Sequence, residues 1–329
     1  MNLTDKIILR VKDLTVAFDT EAGRVRAIEN VGFELEKGTF LGIVGESGCG
    51  KSVTALTIMR LLPQPAGVIE KGNILLDRTD LLELSVAKMQ KVRGNQIAMI
   101  FQEPMTALNP VHKIGRQLSE VFQIHYPELN QNQVKQKSVA LLQKVGIPEP
   151  EMRLADYPHQ ISGGMRQRVM IAMALAGQPE ILIADEPTTA LDVTIQAQIL
   201  ELLKTIQQET AMSVILITHD LAVIAETCDK VVVMYAGKIV ETAPVIELFQ
   251  NPKHPYTQGL LNSIPRLTTK PKTRLKIIEG MVPSLLNMPA GCCFHNRCPL
   301  AKSICQTTLP LPTHFSENHM VKCHLYSGD

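Results

Sequence analysis

The hydrophobic and polar positions of this chain predict two kinds of β structure. Residues 7–44 alternate between apolar and polar positions and contain turn-forming residues at 20–23 and 36–38, which predicts a small antiparallel sheet. Short apolar runs predict buried strands. These runs are residues 40–44, 97–101, 181–184 and 214–217. The pattern as a whole indicates an α/β fold with a separate antiparallel β subdomain.

Helical patterns are interleaved with these strands. Residues 53–62 predict a helix that Pro63 ends, because proline cannot continue the hydrogen-bond ladder. The stretch 103–156 has a different character, since prolines flank helical patterns at 115–123 and 131–145. We interpret this stretch as a helical subdomain inserted into the α/β core.

The composition limits the classes of function. The chain has 329 residues, 45% of them hydrophobic, and a formal net charge of +1. Its charged residues are spread along the sequence, so neither a nucleic-acid-binding field nor a polybasic lipid-binding segment is expected. The first residues lack a secretory signal, which predicts a cytosolic protein. The longest apolar run, 169–177, is only about half a membrane span, so any membrane crossing is expected from other subunits.

The stretch from Gly45 to Ser52 carries the strongest chemical signal. It reads Gly-Glu-Ser-Gly-Cys-Gly-Lys-Ser and follows a buried strand, which is the pattern of a phosphate-binding loop. The glycines let backbone N–H groups point at phosphate oxygens, and the following helix start favours the same anion. Lys51 is expected to reach the β- and γ-phosphates, and the Ser52 hydroxyl to bind Mg²⁺.

Polar residues follow three of the predicted strands. Gln102 comes at the end of the second buried strand, and polar residues at such strand ends lie beside the ligand in nucleotide-binding sheets. Asp185 and Glu186 end another strand; Asp185 is placed to hold Mg²⁺ and Glu186 to take a proton from an attacking water. His219 could donate to a γ-phosphate oxygen. Alternatively, His219 belongs to a turn that Asp220 caps.

Two further features have both a structural and a functional interpretation. Ser162 is a candidate N-cap for an apolar helix that ends near Gly177, and Gly163 and Gly164 leave N–H groups free for a second anion. Alternatively, this is a plain capped helix. Phe18 could stack on an adenine ring or fill the core of the β subdomain.

The order of these motifs resembles that of the nucleotide-binding subunit of ATP-binding-cassette (ABC) transporters. The resemblance covers residues 1 to about 250, and its later part includes Ala190-Leu191-Asp192, similar to the loop that crosses the dimer in that family. It implies a P-loop NTPase (RecA-like) core and two cassettes that face each other head to tail around two ATP molecules. Ser162 and Gly164 of one subunit then cap the γ-phosphate that Lys51 of the other holds.

The resemblance implies a role for each matching residue. It identifies Glu186, His219 and Gln102 as catalytic, and Ser52, Gln102 and Asp185 as Mg²⁺ ligands. The nucleotide-binding residues that it implies are Phe18, Gly45, Glu46, Ser47, Gly48, Cys49, Gly50, Lys51, Ser52, Ser162, Gly163, Gly164, Asp185 and Asp192. Met165 and Cys49 depart from the commoner glutamine and serine, but backbone groups make the phosphate contacts at both positions.

The tail narrows the resemblance. Residues 251–258 and 289–299 resemble the C-terminal extension of the ATPases that drive dipeptide, oligopeptide and nickel importers, and residues 184–198 favour the dipeptide and oligopeptide branch. The expected organisation is an ABC cassette over 1–250, with the helical subdomain at about 103–156, and an importer-type extension over 251–329. The implied partners are a sister ATPase, two permeases and an extracytoplasmic solute-binding protein, at the cytoplasmic face of the inner membrane.

Peptide import is the favoured function, and a nickel or other small-solute importer is the alternative. A soluble ABC ATPase acting in translation or repair needs two cassettes in one chain or a basic surface, and neither is present in the sequence. A non-catalytic regulatory module is opposed by the intact set of Lys51, Asp185, Glu186 and His219.

The last feature is a set of cysteines in a proline-rich segment with little helical or strand periodicity. Cys292, Cys298, Cys305 and Cys323 have wider gaps than most zinc sites, although histidines at 295, 314, 319 and 324 could complete a mixed site. A segment of this kind buries little apolar surface, so we expect a metal centre to fold it. The wide spacing suits a [4Fe–4S] cluster, and the resemblance implies the same, since members of the peptide-importer ATPase family carry one. Zinc and an empty site are the alternatives. Cys293 leaves the identity of the first ligand open.

Overall fold

A computed structural model of the protein describes residues 6–103, 107–189, 191–264 and 277–326. Residues 1–5, Pro104 and Ala190, on which parts of the sequence-based predictions fall, lie outside the described residues. The chain divides into two compact units. The first comprises residues within 1–35, 40–82 and 218–329, and the second comprises residues 36–39 and 83–217.

The elements are numbered in chain order. The strands are β1 (Ile7–Thr20), β2 (Gly23–Glu36), β3 (Phe40–Val44), β4 (Gly67–Leu76), β5 (Thr79–Asp80), β6 (Ile97–Ile100), β7 (Ile181–Asp185), β8 (Ser213–Ile217), β9 (Lys230–Tyr235), β10 (Lys238–Pro244), β11 (Pro312–Ser316) and β12 (His319–Lys322). The helices are α1 (Lys51–Ile58), α2 (Val86–Val92), α3 (Ile114–His125), α4 (Gln131–Lys144), α5 (Pro150–Arg153), α6 (Gly163–Leu175), α7 (Val193–Thr210), α8 (Leu221–Thr227), α9 (Val245–Gln250) and α10 (Pro255–Asn262).

The first unit contains an antiparallel sheet with strand order β2-β1-β4-β5. Strands β1 and β2 lie in the stretch where this sheet was predicted, whereas β4 and β5 were not predicted. β1 pairs with β4 in a register that runs from Leu9 opposite Leu76 to Phe18 opposite Gly67. A second group of strands in this unit has the order β11-β12-β10-β9-β3. There β3 lies parallel to β9, with Leu41 opposite Lys230, and every residue of β3 is buried. This burial on both faces explains why β3 reads as a continuous apolar run.

The second unit contains the parallel strands β8, β7 and β6, joined by the pairs Ile181–Ser213 and Ile97–Ile181. Helices α3 and α4 confirm the helical patterns predicted at 115–123 and 131–145. α4 begins at a capping box in which the Asn130 and Gln133 side chains each accept a backbone N–H of the other residue. Among the described residues, no helix is both long and apolar enough to cross a bilayer.

The first helix is shorter than the sequence predicts. α1 ends at Ile58 rather than at Leu62, because Arg60 has a left-handed φ of 51° and the Leu61 N–H bonds to the Leu56 carbonyl. Pro63 restricts the residue before it to extended conformations, but it does not fix where the turn begins. The predicted boundary was therefore wrong by one turn.

The C-terminal tail has more secondary structure than expected. β12 pairs antiparallel with β10, with Glu241 opposite Val321, and β11 pairs with β12. The tail also buries Tyr256 and Phe294. These short strands were not predicted, because a strand of four residues is too short for its period to be read from the sequence. The expectation that the cysteine segment buries little apolar surface agrees with the exposure of Leu300, Leu309 and Leu311.

Candidate functional site

Residues 45–52 join β3 to α1, and glycines set the shape of this loop. Gly45, Gly48 and Gly50 have positive φ angles of 155°, 78° and 100°, which residues with side chains rarely adopt. A Cβ atom at Gly45 would lie 2.2 Å from the carbonyl oxygen of Met234, whereas nothing lies within 4 Å of that position at Gly48. The loop is therefore curled and closely packed at its base, and it leads directly into the first turn of α1.

Lys51 is the first residue of α1, and it is only 5% exposed. Its Nζ donates hydrogen bonds to the carbonyl oxygens of Gly45, at 2.8 Å, and Glu46, at 3.2 Å. The ammonium group thus lies along the inside of the loop, where phosphate oxygens can replace the carbonyls as stronger acceptors. Burial raises the pKa of the neighbouring Cys49 thiol, while the Lys51 charge opposes that rise. Cys49 is therefore a neutral, packed side chain.

In the second unit, Glu186 follows β7 and its carboxylate is held by two side chains. Oε2 accepts a hydrogen bond from Gln102 Nε2 at 3.1 Å and from Thr189 Oγ1 at 2.9 Å. The backbone of Glu186 has a left-handed φ of 46°, and its N–H donates to the Ile217 carbonyl at 2.9 Å. Asp185 is only 4% exposed, whereas Glu186 is half-buried. The two adjacent acids thus have different environments, and the half-buried one is the better placed to meet a water.

Two helix starts lie side by side in the second unit. Ser162 caps α6 by accepting the Met165 N–H at 3.3 Å, and Asp192 caps α7 by accepting the Ile195 N–H at 3.0 Å. A Cβ atom at Gly164 would lie 3.1 Å from Cγ2 of Ile195. Ser162 is therefore the N-cap of α6, as predicted. Its side chain is also exposed, as a contact with another subunit requires.

The remaining predicted residues of the nucleotide site lie in the first unit. Asp220 caps α8 through the Ala222 and Val223 N–H groups, so the capping turn considered above is present. The preceding His219 is exposed. Phe18 lies near the end of β1 with a half-buried ring. The exposure of His219 and the partial exposure of Phe18 leave both side chains accessible to a ligand.

The four cysteines of the tail come together, but without the geometry of a metal site. The Cys292 N–H donates to the Cys305 carbonyl at 2.8 Å. Burial raises the pKa of Cys292 to about 11, and the nearby Cys305 and Cys323 add to this rise. Within the described residues, no group of three or more His, Cys, Asp or Glu side chains could hold a metal ion. The metal-binding extension predicted above is therefore not supported.

Three of the histidines considered for a mixed zinc site have other partners in the structure. His319 is buried between two carboxylates, with Nε2 2.8 Å from Glu241 and Nδ1 2.9 Å from Glu247. His324 Nε2 bonds the Thr308 carbonyl at 2.8 Å. His295 Nδ1 lies 2.8 Å from the Cys292 carbonyl oxygen.

Sequence reasoning missed three residues that contact the candidate site. Thr189 lies inside a stretch quoted for the family resemblance, but its bond to Glu186 depends on the turn after β7. Tyr256 and Arg297 lie in the quoted tail stretches, and both bond Glu46 of the phosphate loop. No local pattern encodes contacts that span more than two hundred residues.

Comparison with known families gives two matches. Residues 28–189 match the family described as ABC transporter. Residues 240–305 match the family described as the oligopeptide/dipeptide transporter C-terminal region.

Individual relatives are similar over nearly the whole chain. A probable peptide ABC transporter ATP-binding protein of Sinorhizobium fredii is 51% identical, covering 96% of this chain and 94% of the relative. The oligopeptide transport ATP-binding protein OppD of Bacillus subtilis is 52% identical, covering 98% of this chain and 90% of the relative. The dipeptide transport ATP-binding protein DppD of the same organism is 51% identical, covering 97% and 94%.

Solved structures give the same family. The dimeric ATP-binding cassette MJ0796 in a post-hydrolysis state bound to ADP and Pi has a TM-score of 0.65 and 26% identity, covering 72% of this chain and 98% of that chain. A second dimeric structure of MJ0796, described as a bacterial ABC transporter cassette, has a TM-score of 0.64 and 27% identity, covering 72% and 98%. The protein has the ABC ATPase cassette fold, and it belongs to the ABC transporter ATP-binding proteins that carry the oligopeptide/dipeptide transporter C-terminal region.

Proposed function

We propose that this ABC ATPase is the energy-coupling subunit of a dipeptide or oligopeptide importer. The observation that carries the proposal is the match of residues 240–305 to the oligopeptide/dipeptide transporter C-terminal region. Relatives at about half identity, named for peptide, oligopeptide and dipeptide transport, support it. A nickel or other small-solute importer is the second candidate, because the same tail motifs resemble ATPases of both kinds.

The residue roles follow from the chemistry of each side chain. Lys51 binds the β- and γ-phosphates, and the curled glycine backbone of the loop supplies N–H donors to the same oxygens. Glu186 accepts the proton of the attacking water, since it is the more exposed acid of the pair and its carboxylate is already oriented by hydrogen bonds. His219 donates to a γ-phosphate oxygen, and Phe18 stacks on the adenine.

The residues also suit a Mg²⁺ ion bound with ATP. Hydroxyl, amide and carboxylate oxygens are the donors that Mg²⁺ prefers, and Ser52, Gln102 and Asp185 supply one of each. The ion, when bound, neutralises the phosphate charge that grows as the terminal bond breaks. The part of this chain is to offer these oxygen ligands to the ion.

The proposed assembly follows from the same family membership. The cassette, residues 1–250, pairs head to tail with a sister ATPase, and the extension begins after α9 ends at Gln250. Two permease subunits supply the membrane spans, and an extracytoplasmic binding protein selects the solute. The ATPase then acts peripherally at the cytoplasmic face of the inner membrane.

The substrate class is tested on the complete transporter in lipid. The complex is purified with its binding protein, and the ATPase rate is measured with dipeptides, longer peptides or Ni²⁺. Stimulation by peptides and not by Ni²⁺ is the expected result. Stimulation by Ni²⁺ alone would assign the second candidate, and a Lys51→Ala complex controls for contaminating ATPases.

The head-to-tail pairing is tested at Ser162, because Gly164 cannot accept a side chain without meeting Ile195. Ser162→Asp keeps an N-cap acceptor and places a carboxylate where the partner's γ-phosphate is expected. Ser162→Asn is the matched neutral control. The two subunits are co-expressed, and the ATP bound by each is measured. Ser162→Asp should weaken ATP binding by the partner's loop and not by its own loop. Weaker ATP binding by its own loop would contradict the pairing.

We also propose, from the sequence spacing, that Cys292, Cys298, Cys305 and Cys323 ligate a [4Fe–4S] cluster with a structural or regulatory role. The arrangement of these cysteines among the described residues contains no metal-holding group and does not itself support the cluster. The thiols of Cys292, Cys305 and Cys323 are close enough to influence one another electrostatically, and so are those of Cys298 and Cys305. A cluster needs thiolates spaced around a larger body than a single ion, which suits loops of this length. Cys293 also raises the pKa of the neighbouring Cys292, so the electrostatics of the two thiols do not separate them as the first ligand.

Anaerobic purification tests the cluster. A brown protein with about four irons per chain is expected, and Cys298→Ser should lose the iron while the matched Cys293→Ser keeps it. A colourless protein with stoichiometric zinc, or with no metal, would contradict this second proposal and leave the ATPase assignment untouched.

A further inference from the structure

The C-terminal extension reaches the phosphate loop through one ion pair. The guanidinium group of Arg297 donates to both carboxylate oxygens of Glu46, from Nη1 at 2.6 Å and from Nη2 at 3.0 Å. The Arg297 side chain is only 5% exposed and that of Glu46 is 28% exposed. A bidentate pair fixes the angle as well as the distance between its partners, so the extension constrains the direction of this loop residue.

Arg297 is itself oriented before it meets the loop. Its Nε donates to the Glu279 carbonyl at 2.9 Å, and Nη2 also donates to the Ile278 carbonyl at 3.1 Å. The guanidinium lies 5.7 Å from the ring centroid of Tyr235 and 6.0 Å from that of Phe294. Backbone carbonyls and aromatic rings therefore hold the guanidinium in place, and its position does not depend on Glu46 alone.

A second contact holds the backbone of the same residue. The hydroxyl of Tyr256 accepts the Glu46 N–H at 2.9 Å, and the Tyr256 side chain is completely buried. Its ring packs at 4.7 Å from that of Tyr235 and 5.4 Å from that of Phe294. The extension therefore holds Glu46 at both its backbone and its side chain, through one aromatic cluster.

Glu46 connects these contacts to the lysine of the loop. Its carbonyl oxygen accepts the hydrogen bond from Lys51 Nζ at 3.2 Å, and it also accepts the Cys49 N–H at 3.3 Å. A shift of Glu46 thus moves an acceptor of the phosphate-binding lysine and the turn of the loop together.

We propose that Arg297 and Tyr256 are positioning residues that hold the phosphate loop through Glu46, so that the C-terminal extension sets the ATP affinity of the cassette. The inference rests on the proposed role of the loop in binding ATP. It gives the extension a function in the ATPase cycle that does not depend on whether the cysteines bind a cluster.

Simple charge neutralisation makes a different prediction from positioning. If the pair acts only through charge, then removing the Glu46 carboxylate strengthens ATP binding, because a negative group beside a polyanion is lost, and removing Arg297 weakens it. If the pair positions the loop, both single substitutions weaken ATP binding, and the double substitution weakens it no further than either one.

The experiment compares Arg297→Met, Glu46→Gln and the double variant in the assembled transporter. Dissociation constants for a fluorescent ATP analogue are measured together with KM and kcat. Each single variant is expected to raise the dissociation constant and KM by about fivefold or more, with a smaller change in kcat. Arg297→Lys, which keeps the charge without the bidentate fork, should recover only part of the affinity.

Two controls separate the inference from misfolding and from the proposed function. Arg10 and Glu34 form another partly buried ion pair, on β1 and β2, and Arg10→Met or Glu34→Gln should leave ATP affinity unchanged. Tyr256→Phe removes one hydroxyl and keeps the ring, so it tests the positioning of Glu46 if Arg297→Met fails to fold. Lys51→Ala must abolish ATP binding. If it does not, the proposed function of the loop fails, independently of the positioning of Glu46.

Linkage supplies a readout that a merely structural role would not change. If the extension sets ATP affinity, bound ATP must stabilise the extension by the same factor. Hydrogen exchange with a non-hydrolysable ATP analogue should therefore slow in peptides covering 292–299 of the wild type, and not of Glu46→Gln. Opposite effects of the two single substitutions on affinity, or unchanged affinity in Arg297→Met and Tyr256→Phe, would overturn the inference.

Discussion

The phosphate loop and the turn after β7 hold their functional groups in opposite ways. In the loop, the packed backbone at Gly45 leaves no room for a side chain. After β7, the carboxylate of Glu186 is held by the side chains of Gln102 and Thr189. The shape of the loop thus depends on the absence of a Cβ atom at Gly45, whereas the orientation of Glu186 depends on the polar groups of Gln102 and Thr189. The two regions should therefore fail under opposite kinds of substitution, one that adds a methyl group and one that removes a polar group.

The largest effect is expected at Glu186 itself. Glu186→Gln keeps the size of the side chain but removes the proposed base, so ATP hydrolysis should fall by about 10²-fold or more, because general-base assistance is typically of that order. ATP binding should be retained, since no phosphate ligand is lost. Single-turnover hydrolysis and equilibrium binding measured on the same preparation check the prediction, and normal turnover would sink the assignment of the base.

The next effect is expected at the base of the loop. Gly45→Ala places a methyl group 2.2 Å from the Met234 carbonyl oxygen, so the loop must shift. A displacement of about 1 Å can reduce a rate by roughly 10²-fold, and we expect the ATPase rate to fall by about that much. Gly48→Ala is the matched control, because its φ is also positive but its methyl group meets nothing within 4 Å. Equal losses in the two variants would show that backbone strain, and not the close contact, defines the loop.

A smaller effect is expected from loosening the acid without removing it. Thr189→Val deletes the hydroxyl that donates to Glu186 Oε2 and keeps the shape of the side chain. A hydrogen bond to a charged group contributes about 1.5–3 kcal/mol, so kcat should fall by about tenfold or more while ATP binding stays unchanged. Thr188→Val controls for the loss of a neighbouring hydroxyl. Identical steady-state kinetics for Thr189→Val and the wild type would mean that Gln102 alone orients the proposed base, Glu186.

The smallest effect concerns the aromatic cluster under the loop. His254 caps α10 by accepting the Tyr256 N–H on Nδ1, and burial lowers the pKa of His254 from 6.5 to about 3. Between these values the unfolded chain binds more protons than the folded chain, so the unfolding free energy contributed by His254 is full above about pH 6.5 and falls as the pH drops toward 3. His254→Asn keeps a capping acceptor that does not titrate. Denaturant unfolding at pH 7, 6, 5 and 4 should therefore show a shallower loss of stability in this variant, and parallel pH profiles would contradict it.

The sequence predicts the loop better than its surroundings, for a physical reason. Glycine tolerates the positive φ angles of Gly45, Gly48 and Gly50, and a lysine and a serine complete a pattern with few other uses, so local composition carries the geometry. The strands β7 and β8 are predicted because they are buried on both faces and read as continuous apolar runs. Ser162 and Asp220 are correctly predicted as caps, since capping is decided within three residues.

The parts that the sequence does not predict depend on distant contacts. The end of α1 is set by the left-handed backbone conformation of Arg60, which the neighbouring residues do not predict. The binding of Glu46 by Arg297 spans 251 positions, and no periodicity is shared over such a distance. The tail strand β12 is recognised only when β10 is present as its partner. Long-range pairing decides these features, and single-sequence patterns do not contain it.

The pairing of β12 with β10 has a consequence for solubility. Without the tail, β10 would expose a row of unpaired N–H and C=O groups at the edge of the strand group, along residues that are otherwise buried. Such an edge is a template for pairing with another chain. The strand that becomes the edge instead is β11, which is short and exposed, begins with Pro312 and contains an irregular register between His314 and Ser316. The extension thus replaces an edge that invites intermolecular pairing with one that discourages it.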